Sequence, residues 1–216
     1  MLNIIRIIIL ITITNCVSAA EPEPVNAIPE GVKSVAAVVP VFSQKISFNL
    51  PTNWKAVYEN KKSGAYLIEF IPQDEVIEDW ENLFTIQGFE NLADKTTPME
   101  FLNGMAARLR DVCGEHFVFE ELGPISISGY KAFDAILGCA KMPEAMNHSD
   151  KELSELGYYV SIKGEQDYFL IHKMIRGDAF SKDELPINKS NAADFISEFM
   201  PFDICQAGGE EHECNK

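Results

Sequence analysis

The sequence predicts an α+β protein, a mostly antiparallel sheet of about seven strands with two main helices packed on it. Three observations predict this. Several segments alternate apolar and polar residues with period 2, glycine-containing turn signals separate them, and the segment from Thr97 carries a complete helix-start signature.

The first strand is expected over Phe42 to Leu50. Phe42, Ile46, Phe48 and Leu50 share one parity, while Ser43, Lys45, Ser47 and Asn49 share the other, the pattern of a sheet with one wet face. Pro51-Thr52-Asn53 ends it. WKAVYEN and AYLIEFI then flank Lys61-Lys62-Ser63-Gly64, a hairpin turn. A further strand, Leu83 to Phe89, follows an acidic connector. Thr97, Pro98 and Glu100 supply an N-cap, a first-turn proline and a capping-box glutamate. Phe101, Leu102, Met105, Leu109 and Val112 recur at helical spacing, and Gly114 ends the helix. FVFEEL, PISISGY and KAFDAILGCAK form one long hairpin reversing near Ser128-Gly129. After the polar stretch Pro143 to Leu156, GYYVSIK and DYFLIHKMI form another around Gly164-Glu165-Gln166. A last helix from Ser190 is expected to bury Phe195, Ile196 and Phe199.

The chain opens MLNIIRIIILITITNCVSAAEPEP. Arg6, the short apolar run Ile7 to Ile13 and the small residues Val17-Ser18-Ala19-Ala20 have the three-part form of an export signal. That apolar run falls short of the ~20 residues a spanning helix needs, and no later segment reaches that length. Residues 1–20 are therefore read as signal peptide, 21–40 as a flexible leader, 41–205 as one domain and 206–216 as a tail. The expected product is periplasmic or secreted, with no integral membrane segment after signal removal.

A formal charge of −15 argues against nucleic acid or anionic lipid as partner, since phosphate binding needs clustered Lys and Arg. Removal of the signal leaves Cys113, Cys139, Cys205 and Cys214, an even number in an exported chain and no CxxC pair, which points to disulfides. Cys113 ends a helix and Cys139 a hairpin strand, so they are paired where helix meets sheet; Cys205 and Cys214 then close a short tail loop. The other two pairings stay open.

Catalytic motifs are absent from the sequence: there is no GxSxG, HExxH, GxxxxGK[ST] or GxGxxG. His172, in YFLIHKMI, is read as a sheet-face or edge histidine, and His116 as a helix-end one. The run Glu210 to Cys214, EEHEC, mixes hard and soft donors on a short tail, which makes a weak and unselective metal site, so no metal or cofactor is expected. The expected activity is protein or small-ligand binding; the alternative is a hydrolase whose site is assembled from scattered residues.

One stretch offers a candidate surface. IEFIPQDEVIEDWENLFTIQGF sets Trp80 among Asp74, Glu75, Glu78, Asp79 and Glu81. Either the indole tucks under the sheet against Ile77 and Phe84 while the acids stay in water, or Trp80, Glu78 and Asp79 form an acidic binding rim. The packing reading is preferred. This stretch, the helix opening TPMEF and the later cysteine together resemble exported proteobacterial proteins of unassigned function, over roughly residues 42–140. The strand order also looks like the Mog1/PsbP-type α/β sandwich. That resemblance implies a binding or assembly role rather than catalysis, and transfers no functional residue.

Overall fold

Tight turns set the frame. Ser63-Gly64 and Ser128-Gly129 each reverse the chain with positive φ at both positions (52° and 76°; 50° and 82°), the two-residue geometry that matches strand twist. The first joins strands Trp54–Lys62 and Ala65–Pro72; the second joins Phe117–Ile127 and Tyr130–Cys139. The computed structural model describes residues 31–144 and 151–206. In chain order the strands are β1 (Ser34–Val41), β2 (Gln44–Pro51), β3 (Trp54–Lys62), β4 (Ala65–Pro72) and β5 (Asn82–Phe89). Helix α1 (Pro98–Cys113) follows, then β6 (Phe117–Ile127), β7 (Tyr130–Cys139), β8 (Leu153–Lys163) and β9 (Tyr168–Asp178). Helix α2 (Ala192–Ile196) and β10 (Asp203–Gln206) complete the described chain.

The fold class is α+β, but the strands divide between two sheets. Seven run antiparallel in the order β3-β4-β5-β9-β8-β7-β6, and three form a second sheet, β1-β2-β10. Helix α1 carries the chain from β5 to the far edge strand β6, and the meander back through β7 and β8 brings β9 to pair with β5.

Three expectations are corrected here. Ser34 to Pro40, assigned to a leader, belongs to β1 and pairs with β2. Val39 and Val41 turn inward, but Val38 on the wet face is also apolar, which hid the alternation. The strand expected from Phe42 begins at Gln44; Phe42 has φ 55° and with Ser43 makes the β1–β2 turn. The last helix is one short α-segment with Asn191 at its N-cap position and a 3-10 turn at Ser197–Phe199 continuing it. Ile196 and Phe199 are buried as expected, and Phe195 partly so.

The three-stranded sheet covers one face of the larger sheet. Val39, Val41, Ile46 and Phe48 meet Phe70, Phe84, Ile86, Phe169 and Ile171, each burial contributing about 1.5–3 kcal/mol. Phe199 stacks on Phe84 at 3.9 Å, and Lys173 donates from Nζ to the Phe195 carbonyl and to Glu198, tying β9 to the end of α2. On the opposite face, Leu102 and Ala106 of α1 pack on Phe133, Ala135, Leu137 and Tyr159. The expected capping box is present, with the Thr97 hydroxyl accepting from Glu100 N and the Glu100 carboxylate accepting from Thr97 N. Val112, expected on the apolar face, is exposed. A disulfide joins Cys113 to Cys139 (Cα–Cα 5.4 Å), fastening the end of α1 to the end of β7. The expected Cys205–Cys214 bridge involves Cys214, which lies outside the described residues.

Candidate functional site

Helix α1 lies over the β6–β7–β8 half of its sheet face, and its flank meets β5 and β9 along a depression. A groove of about 530 Å³ runs there, lined by Gln87, Phe89 and Leu170 from the sheet and by Phe101, Met105 and Arg108 from α1. Its floor follows from strand geometry, in which alternate residues share a face. Leu83, Thr85, Gln87 and Phe89 of β5 lie opposite Met174, His172, Leu170 and Tyr168 of β9.

One register step beyond Gln87 and Leu170, a row of polar side chains crosses four strands. Glu69 of β4 pairs in register with Thr85 of β5, Thr85 with His172 of β9, and His172 with Tyr159 of β8. The imidazole lies flat on the Tyr159 ring, with centroids 4.7 Å apart and planes 9° apart. The Tyr159 hydroxyl donates to the Met174 sulfur at 3.2 Å, and Gln87 Nε2 lies 3.4 Å from His172 Nε2. Thr85 is fully buried and His172 is 6% exposed, and Thr85 Oγ1 and His172 Nδ1 have no hydrogen-bond partner.

Burial pulls the His172 pKa down to about 3 and pushes the Glu69 carboxyl and the Tyr159 hydroxyl up. The ring is therefore neutral at pH 7 and a poor proton acceptor, suited to hydrogen bonding and not to general-base work. The unfolded ring titrates near 6.5, so its contribution to stability is whole above that pH. It is lost as pH falls toward 3, at up to about 1.4 kcal/mol per pH unit. Glu69, shifted upward, acts in the opposite sense: its contribution is present at low pH and lost as pH rises through its folded value. Urea midpoints measured across this window are expected to fall with acid in the parent and to be flatter in His172→Gln. Equal slopes would show that the imidazole is not held neutral.

The sequence-derived surface lies elsewhere. Trp80 is 7% exposed and packs with Ile71 and Leu83, flanked by Val57, Ile77 and Met174. Phe84, expected beside it, points to the opposite face of β5, into the aromatic cluster with Phe48 and Phe199. Glu78 and Asp79 are exposed, while Trp80 is turned inward. Glu75 has a structural task, accepting from Glu81 N, Asn82 N and the Asn82 amide to close the loop. The Arg176 guanidinium stands 4.0 Å over the indole and donates through Nε and Nη2 to Glu155. Trp80, Asp79, Arg176 and Asp178 border a second, more polar cleft of about 540 Å³.

Sequence reasoning missed Gln87, Thr85, Arg176 and Glu155. Thr85 carried a usable signal, a polar residue inside an otherwise apolar strand run. His116 ends beside Glu115 on the surface, 3.7 Å away. His148, His212 and the EEHEC run lie outside the described residues. Among the described residues no cluster of three or more His, Cys, Asp or Glu side chains is arranged to hold a metal, and no histidine is hydrogen-bonded to a hydroxyl, thiol or carboxylate.

No protein-family model matches the chain, and no curated protein matches it. Among solved structures, a protein from Bacteroides thetaiotaomicron aligns over 76% of this chain at 11% identity and a TM-score of 0.41. This chain spans about half, 47%, of that protein's length. The solution structure of cyanobacterial PsbP (CyanoP) from Synechocystis aligns over 75% of this chain and 94% of its own, at 12% identity and a TM-score of 0.40. At that degree of likeness, function has to be argued from this chain's own residues.

Proposed function

We propose that the protein is exported, periplasmic or secreted, and acts by binding a small ligand in the groove beside α1. One observation carries the reading: an apolar-walled groove of about 530 Å³, in the size range of small-molecule sites, whose floor pair Gln87 and Leu170 lies one register step from two buried, unpartnered polar groups. Export is supported by the N-terminal sequence pattern and by the Cys113–Cys139 disulfide, which suits an oxidising compartment. No helix among the described residues is long and apolar enough to cross a membrane.

Gly104 makes the reading testable. It lines the groove inside α1, and a Cβ built there meets nothing within 4 Å. A helix-interior glycine costs up to about 1 kcal/mol relative to alanine, and no packing contact here requires one. Gly104→Ala is expected to raise the unfolding free energy by that amount in a urea melt. Gly104→Leu is expected to keep the fold and fill the groove. Native mass spectrometry of the protein from its own exporting host should find a small-molecule adduct on the parent that Gly104→Leu lacks. An adduct unchanged by Gly104→Leu would place binding elsewhere, and an N-terminus retaining residues 1–19 would remove the export half of the proposal.

A further inference from the structure

We infer that the groove takes an uncharged amphiphile, its apolar body lying between α1 and β5 and a carbonyl or hydroxyl head reaching Thr85 and His172. This rests on the binding reading above and names the chemistry of its ligand. The walls are apolar where the body would lie, with Phe89, Phe101, Met105 and Leu170 facing the space. At Gly104 the helix contributes no side chain, and a Cβ there would meet nothing within 4 Å.

The neighbouring register pair supplies the head-group chemistry. Gln87 and Leu170 are a register pair on the floor, and the next pair on the same face is Thr85 and His172. Strand geometry sets that step at about 7 Å. Thr85 Oγ1 and His172 Nδ1, on adjacent strands, both lack a hydrogen-bond partner. Buried polar groups are nearly always paired, because an unpaired one loses its water without replacement. Two such atoms on neighbouring strands, one register step from the groove floor, mark a place for a polar atom supplied from outside.

The donor pattern narrows the head further. With the Gln87 amide nitrogen donating to His172 Nε2, the ring proton sits on Nδ1, so the unpartnered nitrogen is a donor. The Thr85 hydroxyl donates or accepts as needed. One oxygen atom can therefore accept from both, as the oxygen of an amide, ketone, ester or alcohol does. An ionised head would be stripped of water here with a neutral imidazole and a hydroxyl as its partners, which is costly. Gln87 stands between groove and niche, and its side chain must turn aside for the head to pass. Arg108 and Glu100 line the groove from α1, and Glu100 is already engaged with Thr97.

Three probes with one octyl chain separate the alternatives by calorimetric titration of the mature protein: octanamide, octanoate and octylammonium. Octanamide is expected to bind at least about tenfold more tightly than either ion, as expected when a buried hydrogen-bonding group goes unpaired. Thr85→Val should lose about that factor for octanamide and leave the weaker ion affinities unchanged. Gly104→Leu should abolish binding of all three. If the ions bind as well as the amide, or Thr85→Val changes nothing while Gly104→Leu still abolishes binding, the groove stands and the head-group assignment is overturned. Octanoate binding most tightly and losing its advantage in Arg108→Gln would assign an anionic head to the groove's helix side and overturn it too. If no probe binds up to its solubility limit, both the groove reading and this inference fall.

Discussion

Trp80→Ala is expected to lower the unfolding free energy by about 3–5 kcal/mol, a large part of the roughly 5–15 kcal/mol available to a domain. The indole fills the space bounded by Ile71, Leu83 and Ile77, and the loop from Ile77 to Asp79 cannot close over the void that alanine leaves without moving the strands on either side. A second loss follows from Arg176. Its guanidinium stands over the ring, where such a contact contributes about 0.5–2 kcal/mol, and without the ring it keeps only its hydrogen bonds to Glu155. Glu78→Gln and Asp79→Asn, both in water, should change stability by about 0.5 kcal/mol or less. Urea melts of the three variants check the contrast. A Trp80→Ala protein that melts like its parent would mean the ring is not part of the core.

The second large effect is expected from the disulfide. Cys113 and Cys139 are separated by 26 residues, a loop whose closure restrains the unfolded chain by about 3–4 kcal/mol in the chain-entropy model. Replacing both cysteines with alanine should lower the unfolding free energy by that amount, and reductant should lower the parent's midpoint as well. The bonded sulfurs sit with Met142, Leu109 and Phe117 at the junction of α1 and β7, so the loss should also loosen the C-terminal turn of the helix. A midpoint unmoved by reductant would show that the bond contributes nothing to the fold.

What could be read in advance was mostly local. The Thr97–Glu100 capping box and the glycine turns at Ser63-Gly64 and Ser128-Gly129 are short-range codes, decided by residues within four of one another, and each sits where expected. The partition into two sheets is not local. β2 shows the same alternation whichever sheet it joins, and β10 is four residues long. Trp80 illustrates the same limit. Its burial followed from composition, but its partner depended on the phase of the turn before β5. A shift of one position exchanges Leu83 for Phe84 and so one face of the sheet for the other. The polar row was hidden for a related reason. Glu69, Thr85, His172 and Tyr159 lie on four strands, and only strand order makes them neighbours.

That strand order also carries a kinetic consequence. β3-β4-β5 and β6-β7-β8-β9 are each chains of sequence-adjacent hairpins, and each can zip locally with little loop-closure cost. Their union waits on β5 finding β9, a pairing that brings together residues 85 apart, such as Gln87 and His172. Long-range pairings of this kind slow folding, so the joint between the two blocks is expected to follow the local hairpins. Thr85 and His172 face each other across this joint. Any molecule that bridged them would fasten one half of the large sheet to the other.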